Sequence, residues 1–115
     1  MTTLYGIANC DTIKKAKKWL TTHEIDYDFH DFKKAGLDEA TLKNWIKKVD
    51  WEVLLNKRGT TWRKLDESIK NDVTEKSAIS IMLNHTSVIK RPVLVHNKNV
   101  YVGFKEDTYQ TIFKS

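Results

Sequence analysis

Within the first 31 residues of this chain a strand-forming run gives way to a hydrophobic period of 3.6 and then to a period of two, which predicts a strand–helix–strand opening. Residues 2–7 (TTLYGI) are rich in β-branched and aromatic side chains and read as a short strand. A polar turn, Ala8-Asn9-Cys10-Asp11, follows. Ile13, Ala16, Trp19 and Leu20 then recur at helical spacing through residue 23, with lysines on the opposite face. In residues 25–31, Ile25, Tyr27 and Phe29 alternate with Asp26, Asp28 and His30, the pattern of a half-buried second strand. A strand–helix–strand unit of this kind places its two strands parallel.

The middle of the chain has no such alternation. Asp38 is placed to cap a helix over 39–50, with Leu42, Trp45, Ile46 and Val49 inward. Residues 51–57 continue as a second helical piece, Arg58-Gly59-Thr60-Thr61 reads as a loop, and 65–70 as another short helix. Thr74 and Glu75 open one more, with Ala78, Ile81 and Met82 on its buried face. Strand character returns in 93–96 (VLVH) and 99–102 (NVYV), joined by Asn97-Lys98, a two-residue connection suited to a hairpin. Residues 106–114 close as a helix with Tyr109, Ile112 and Phe113 as its apolar stripe. The order predicts an α/β fold: a thioredoxin-like, glutaredoxin-type core at 1–34 and 86–115, with an all-helical insertion at 35–85. At 115 residues the whole is expected to be a single domain.

Composition narrows the function. A hydrophobic content of 40% argues for a packed core over disorder. The net charge of +5 comes from lysine pairs such as Lys14-Lys15, Lys17-Lys18, Lys33-Lys34 and Lys47-Lys48, which suit solvated helix faces. Zinc-finger spacing, an RNP-like aromatic strand and a recognition helix are all missing, so no nucleic-acid partner is expected. No apolar run approaches the roughly 20 residues a membrane span needs. The start lacks the charged-then-apolar order of a secretion signal, so a cytoplasmic protein is expected. Neither a heptad repeat nor a long apolar face points beyond a monomer. One cysteine rules out an internal disulfide and a multi-cysteine zinc site, and the histidines at 23, 30, 85 and 96 lack paired ligand spacing. No metal and no bound cofactor are expected.

Cys10 carries the chemistry. It falls between a strand end and the first turn of a helix, where unpaired N–H groups and the helix dipole favour an anion. A thiolate is the nucleophile, and helix N-termini and nearby cations lower a cysteine pKa from ~8.5, sometimes to ~3.5–7.5. Lys14, one turn on, is a candidate cation; Asp11 works against it unless it points outward. A free cysteine is commonly a buried, inert side chain, but Asn-Cys-Asp is a polar loop tip. Arg91 precedes Pro92, the only proline, at the start of the third strand. In a thioredoxin-like fold that point lies beside the catalytic helix terminus, and an Xaa-Pro bond there is often cis, exposing backbone to an extended thiol substrate. Arg58, in the insertion, is placed to reach over the same mouth. A guanidinium holds a carboxylate or oxyanion through two parallel N–H bonds. A low-molecular-weight phosphatase would need arginine where Ala16 stands, and a dithiol oxidoreductase a second cysteine where Ile13 stands.

The stretches LYGIANCDTIKKA (4–16), RGTTWRKL (58–65) and IKRPVLV (89–95), in this order, resemble the arsenate reductase (ArsC)/Spx family, most of all its YffB-like subgroup. The likeness runs over essentially the whole chain. It implies a thioredoxin-like fold with a helical insertion, Cys10 as the family cysteine and Arg91 as the arginine of the Arg-Pro pair. In arsenate reductases another arginine directly follows a Leu-Leu pair; here Asn56 follows Leu54-Leu55, and Arg58 comes two residues later. Their third arginine, after the hairpin, has no counterpart in Val102-Gly103-Phe104-Lys105. Spx-type regulators mostly carry CxxC where this chain has Ile13. The YffB-like subgroup implies a glutathione-dependent thiol reductase. A lone cysteine has no resolving partner, so a second thiol must come from solution, and glutathione is the abundant one. The expectation is therefore a monothiol reductase with Cys10 and Arg91 catalytic. Arg58, Asn9, Lys14 and Pro92 would surround glutathione, the co-substrate, and an unidentified oxidised substrate. The alternatives are a protein-binding, Spx-like module that docks on a larger protein partner, and an arsenate reductase.

Overall fold

In the computed structural model, which describes residues 2–8 and 10–113, the first strand is β1 (Thr2–Gly6), and it is paired on both sides. β2 (Asp28–Asp31) runs parallel to it, β3 (Val93–His96) antiparallel, and β4 (Asn99–Val102) completes the order β2-β1-β3-β4. Helix α1 (Asp11–Thr22) joins β1 to β2. Between β2 and β3 come α2 (Phe32–Ala35), α3 (Glu39–Lys48), α4 (Trp51–Leu54), α5 (Thr60–Arg63), α6 (Glu67–Lys70) and α7 (Glu75–Asn84), then a 3₁₀ turn, Thr86–Val88. α8 (Glu106–Phe113) follows β4. The sheet order and strand directions are the thioredoxin-like arrangement expected from the sequence. The chain forms two compact units: one holds the residues up to Asp31 and from Arg91 on, the other Phe32–Lys90.

In the first unit Leu4 is fully buried, with Phe29 and Leu94 as its partners in register. Ala16, Trp19 and Leu20 of α1 and Tyr109 of α8 pack with it, so both helices cover one face of the sheet. The Tyr109 ring meets Trp19 edge-on at 5.5 Å and Phe104 at 4.7 Å, contacts worth about 0.5–1.5 kcal/mol each beyond area burial. The second strand is shorter than the alternation predicts. After α1, Glu24 takes a left-handed conformation (φ 56°), and the Ile25 N–H returns to the Leu20 carbonyl at 2.9 Å. That helix-ending bond commits residues 23–25 to a reverse turn, and the ladder opens only at Asp28. Ile25 and Tyr27 still pack against the core. At the hairpin, Asn97 and Lys98 both have positive φ, 50° and 73°, the twist that a two-residue connection needs.

The second unit is helical apart from one antiparallel bridge, Leu55↔Ile89. The bridge explains why the piece read over 51–57 stops at Leu54. Asn56 N–H donates to the Val88 carbonyl and Lys90 N–H to the Leu54 carbonyl, each at 2.7 Å, so Leu55 must be extended. Two single turns escaped the sequence reading. α2 buries Phe32 beside the Trp45 ring (centroids 6.4 Å apart), and α5, which begins inside the supposed 58–61 loop and runs on to Arg63, buries Trp62. One helical turn is too short to show a period. Asp38 occupies the N-cap of α3, but its side chain makes no capping bond. Thr74 does cap α7, exchanging bonds with Ser77 in a capping box. Among the described residues no helix is long and apolar enough to cross a membrane.

Tyr109 is fully buried, and its hydroxyl has no hydrogen-bond partner among the described residues. A buried hydroxyl left in that state costs about 1–3 kcal/mol. Tyr109→Phe is therefore expected to hold or raise stability, by about 1 kcal/mol, in urea denaturation. A loss of that size would mean that the hydroxyl is bonded after all.

Candidate functional site

The antiparallel register pairs Tyr5 with Val93. Carried two residues further, it sets Arg91 opposite Ile7, three residues before Cys10. The end of β1, the start of α1 and the start of β3 thus meet at one edge of the sheet. Cys10 is the N-cap of α1, with extended backbone (φ −144°, ψ 127°), and its carbonyl accepts the first helical bond from the Lys14 N–H at 3.0 Å.

The Cys10 side chain is half-buried. Burial pushes its thiol up; the Ile13 N–H, the Arg91 side chain and the Thr12 N–H favour the anion, Arg91 also through its charge, and together they hold the thiol below its ordinary value. No capping bond of full hydrogen-bond geometry closes on the sulfur. The donors act through the charge they favour, since a thiolate gains from N–H dipoles turned toward it. What this arrangement can do chemically is give the sulfur a larger thiolate, and so nucleophilic, fraction than a free cysteine has at the same pH.

The structure thus brings together Cys10 and Arg91 of the predicted site residues. The Arg91-Pro92 bond is cis, as the fold led one to expect. Pro92 is buried, and its carbonyl accepts the Gly103 N–H at 2.8 Å, tying the start of β3 to the turn after β4. Lys14 is exposed, and the cation that acts on the sulfur is Arg91, not Lys14. Asn9 lies outside the described residues. Arg58 belongs to the helical unit, exposed, its N–H donating to Asn56 Oδ1 at 3.1 Å.

The profile of the ArsC family matches residues 5–112. The chain belongs to the ArsC family. It is 49% identical to the solved YFFB protein, with a TM-score of 0.94, covering 96% of this chain and 97% of that one. An arsenate reductase (ArsC) related protein from Brucella melitensis is 52% identical, with a TM-score of 0.78, over 99% of this chain and 95% of its own. The global transcriptional regulator Spx of Lactiplantibacillus plantarum is 28% identical over 109 residues, 93% of this chain and 82% of that protein.

In this ArsC-family chain the backbone donors of Thr12 and Ile13, which favour the Cys10 anion, are the part of the candidate site that residue types could not reveal, because any residue supplies an N–H. The signal for them was positional: they are the second and third helical residues after a capping cysteine. The sequence also gave no sign of an open groove of about 900 Å³ beside α1 and the start of α8, lined by Thr12, Lys15, Lys18, Trp19, Lys105 and Glu106 among others. It does not enclose the sulfur. It begins at Thr12, the residue whose N–H faces it.

Replacing Arg91 tests the electrostatics. Arg91→Ala is expected to move the pH midpoint of Cys10 alkylation upward, and Arg91→Lys to recover only part, since lysine lacks the planar fork. The folded thiol is held below its unfolded value, so the thiolate stabilises the fold above the unfolded value, and that gain is lost as pH falls through the folded one. An Arg91→Ala midpoint equal to wild type would remove the arginine from the site.

Proposed function

We propose that this ArsC-family protein is a glutathione-dependent monothiol reductase. The observation that carries the reading is the Cys10 thiol, held low by the first turn of α1 and by Arg91. In the cycle, the Cys10 thiolate attacks one sulfur of a disulfide R–S–S–R′. A Cys10–S–S–R bond forms and R′–S⁻ leaves, later taking a proton from water. A glutathione thiolate then attacks the R sulfur, forming G–S–S–R and returning Cys10 as thiolate. The two electrons that reduce R′ come from the thiolates, and no metal or bound cofactor enters. Cys10 is the catalytic nucleophile, and Arg91 stabilises it before attack and as a leaving group. The cations Lys15, Lys18 and Lys105 of the groove beginning at Thr12 suit the carboxylates of glutathione. Arg58, Asn9, Lys14 and Pro92 remain candidates for contacts with substrate or glutathione.

A second reading, a module that docks on a partner protein, is supported by the likeness to an Spx regulator and by Val53 and Ile69, large apolar side chains exposed on the helical unit. Arsenate reduction is supported by the likeness to the Brucella protein; against it stand Asn56, directly after Leu54-Leu55 where arsenate reductases carry an arginine, and the stretch Val102-Gly103-Phe104-Lys105, which has no arginine.

The deciding experiment is turnover of a glutathione mixed disulfide with reduced glutathione, beside alkylation of Cys10 across pH. Wild type is expected to turn over, with an alkylation midpoint below ~8.5 and protection by glutathione. Cys10→Ser should abolish turnover with the fold intact by circular dichroism. Full activity in that variant would sink the proposal. Partner binding that survives Cys10→Ser would favour the docking module, and glutathione-coupled arsenate turnover the arsenate reductase.

A further inference from the structure

Gly6 closes β1, and Ile13 stands in the first turn of α1. A Cβ at Gly6 would fall on Ile13 Cδ1 and lie 2.9 Å from Ile13 Cγ1. Rotation about χ2 would move Cδ1 but leave Cγ1 in place, and χ1 of a helical isoleucine is held to one well. Ile13 is fully buried, so there is no free volume into which it could swing. The glycine is therefore required by the close approach of helix to strand, not by its backbone conformation.

The same isoleucine supplies the backbone N–H that is foremost among the groups favouring the Cys10 anion. Side chain and N–H belong to one helical residue, and the Lys14 N–H bond to the Cys10 carbonyl locks that turn to the cysteine at 3.0 Å. A shift of the Ile13 side chain away from β1 therefore carries its N–H with it.

We propose that the Gly6–Ile13 contact is a positioning device for the nucleophile: the isoleucine, wedged on the bare face of the glycine, sets the first turn of α1 against the end of β1 and so aims the Thr12 and Ile13 N–H groups at the sulfur. Gly6 and Ile13 are positioning residues, acting on the sulfur only through the placement of the backbone N–H groups. The inference rests on Cys10 being the working nucleophile.

The test is alkylation of Cys10 by iodoacetamide across pH, with urea denaturation alongside. Gly6→Ala is expected to lower stability. It should also raise the alkylation midpoint by about half a unit, so that alkylation near neutral pH slows about threefold. The double variant Gly6→Ala/Ile13→Val moves one carbon from position 13 to position 6 and should bring both quantities back toward wild type. If Gly6→Ala loses stability while its midpoint stays put, the contact is packing alone and the inference is overturned. Where Gly6→Ala does not fold, Ile13→Ala serves: it leaves the glycine open, removes the wedge, and should likewise raise the midpoint, an unmoved value again overturning the inference. A wild-type midpoint at or above that of a free thiol would instead count against the reductase reading itself, whatever the variants do.

Discussion

Everything in the candidate site depends on β1 being hydrogen-bonded on both sides. Its parallel partner β2 cannot be reached by a tight turn, so the chain must cross over the sheet, and α1 is that crossover. The crossover starts where β1 ends, which puts the positive end of the helix dipole at the carboxyl end of a central strand. Its antiparallel partner β3 begins at that same edge, and the residue before its proline is Arg91. Helix terminus, sulfur and guanidinium meet there for topological reasons. This is also where open α/β sheets gather their ligands.

Two influences oppose each other at the sulfur: burial works against ionisation and the donors promote it, and the donors prevail. Position decides which cations count. Lys14 follows the cysteine closely in sequence, yet its side chain is exposed, and water and salt screen an exposed charge. Arg91 is part-buried and reaches the sulfur itself, so one guanidinium outweighs a row of lysines. The lysine pairs that give the chain its charge of +5 belong to solvated faces and to the groove beside α1.

How much of this could be read from residues alone depended on the length of the pattern. Ile13, Ala16, Trp19 and Leu20 repeat over about two turns, and Asn97-Lys98 sits between two strand-like runs, so α1 and the hairpin were legible. α2 and α5 were not, because each is a single turn formed to bury one aromatic, Phe32 or Trp62, and a single residue has no period. The helical piece after residue 50 was read too long because the Leu55↔Ile89 bridge that ends it pairs residues far apart in sequence. Of the site, Cys10 and Arg91 were legible because their chemistry is in their side chains. The Thr12 and Ile13 donors are backbone, and the use of Gly6 lies in an atom it does not have.

Position 13 ties the packing to the proposed chemistry. A side chain there can lie on the sheet as an apolar wedge or offer a second thiol one turn from the first; isoleucine, fully buried on Gly6, does the former. In the proposed cycle the consequence is a division of labour, with the protein holding the thiolate and a thiol from solution resolving the mixed disulfide. The same N–H groups serve both steps. They raise the thiolate fraction available for attack, at some loss of intrinsic nucleophilicity, and they make Cys10 a better leaving group when the external thiol arrives. Because a leaving thiol departs faster the lower its pKa, stabilising the anion speeds the step for which the chain has no second cysteine of its own.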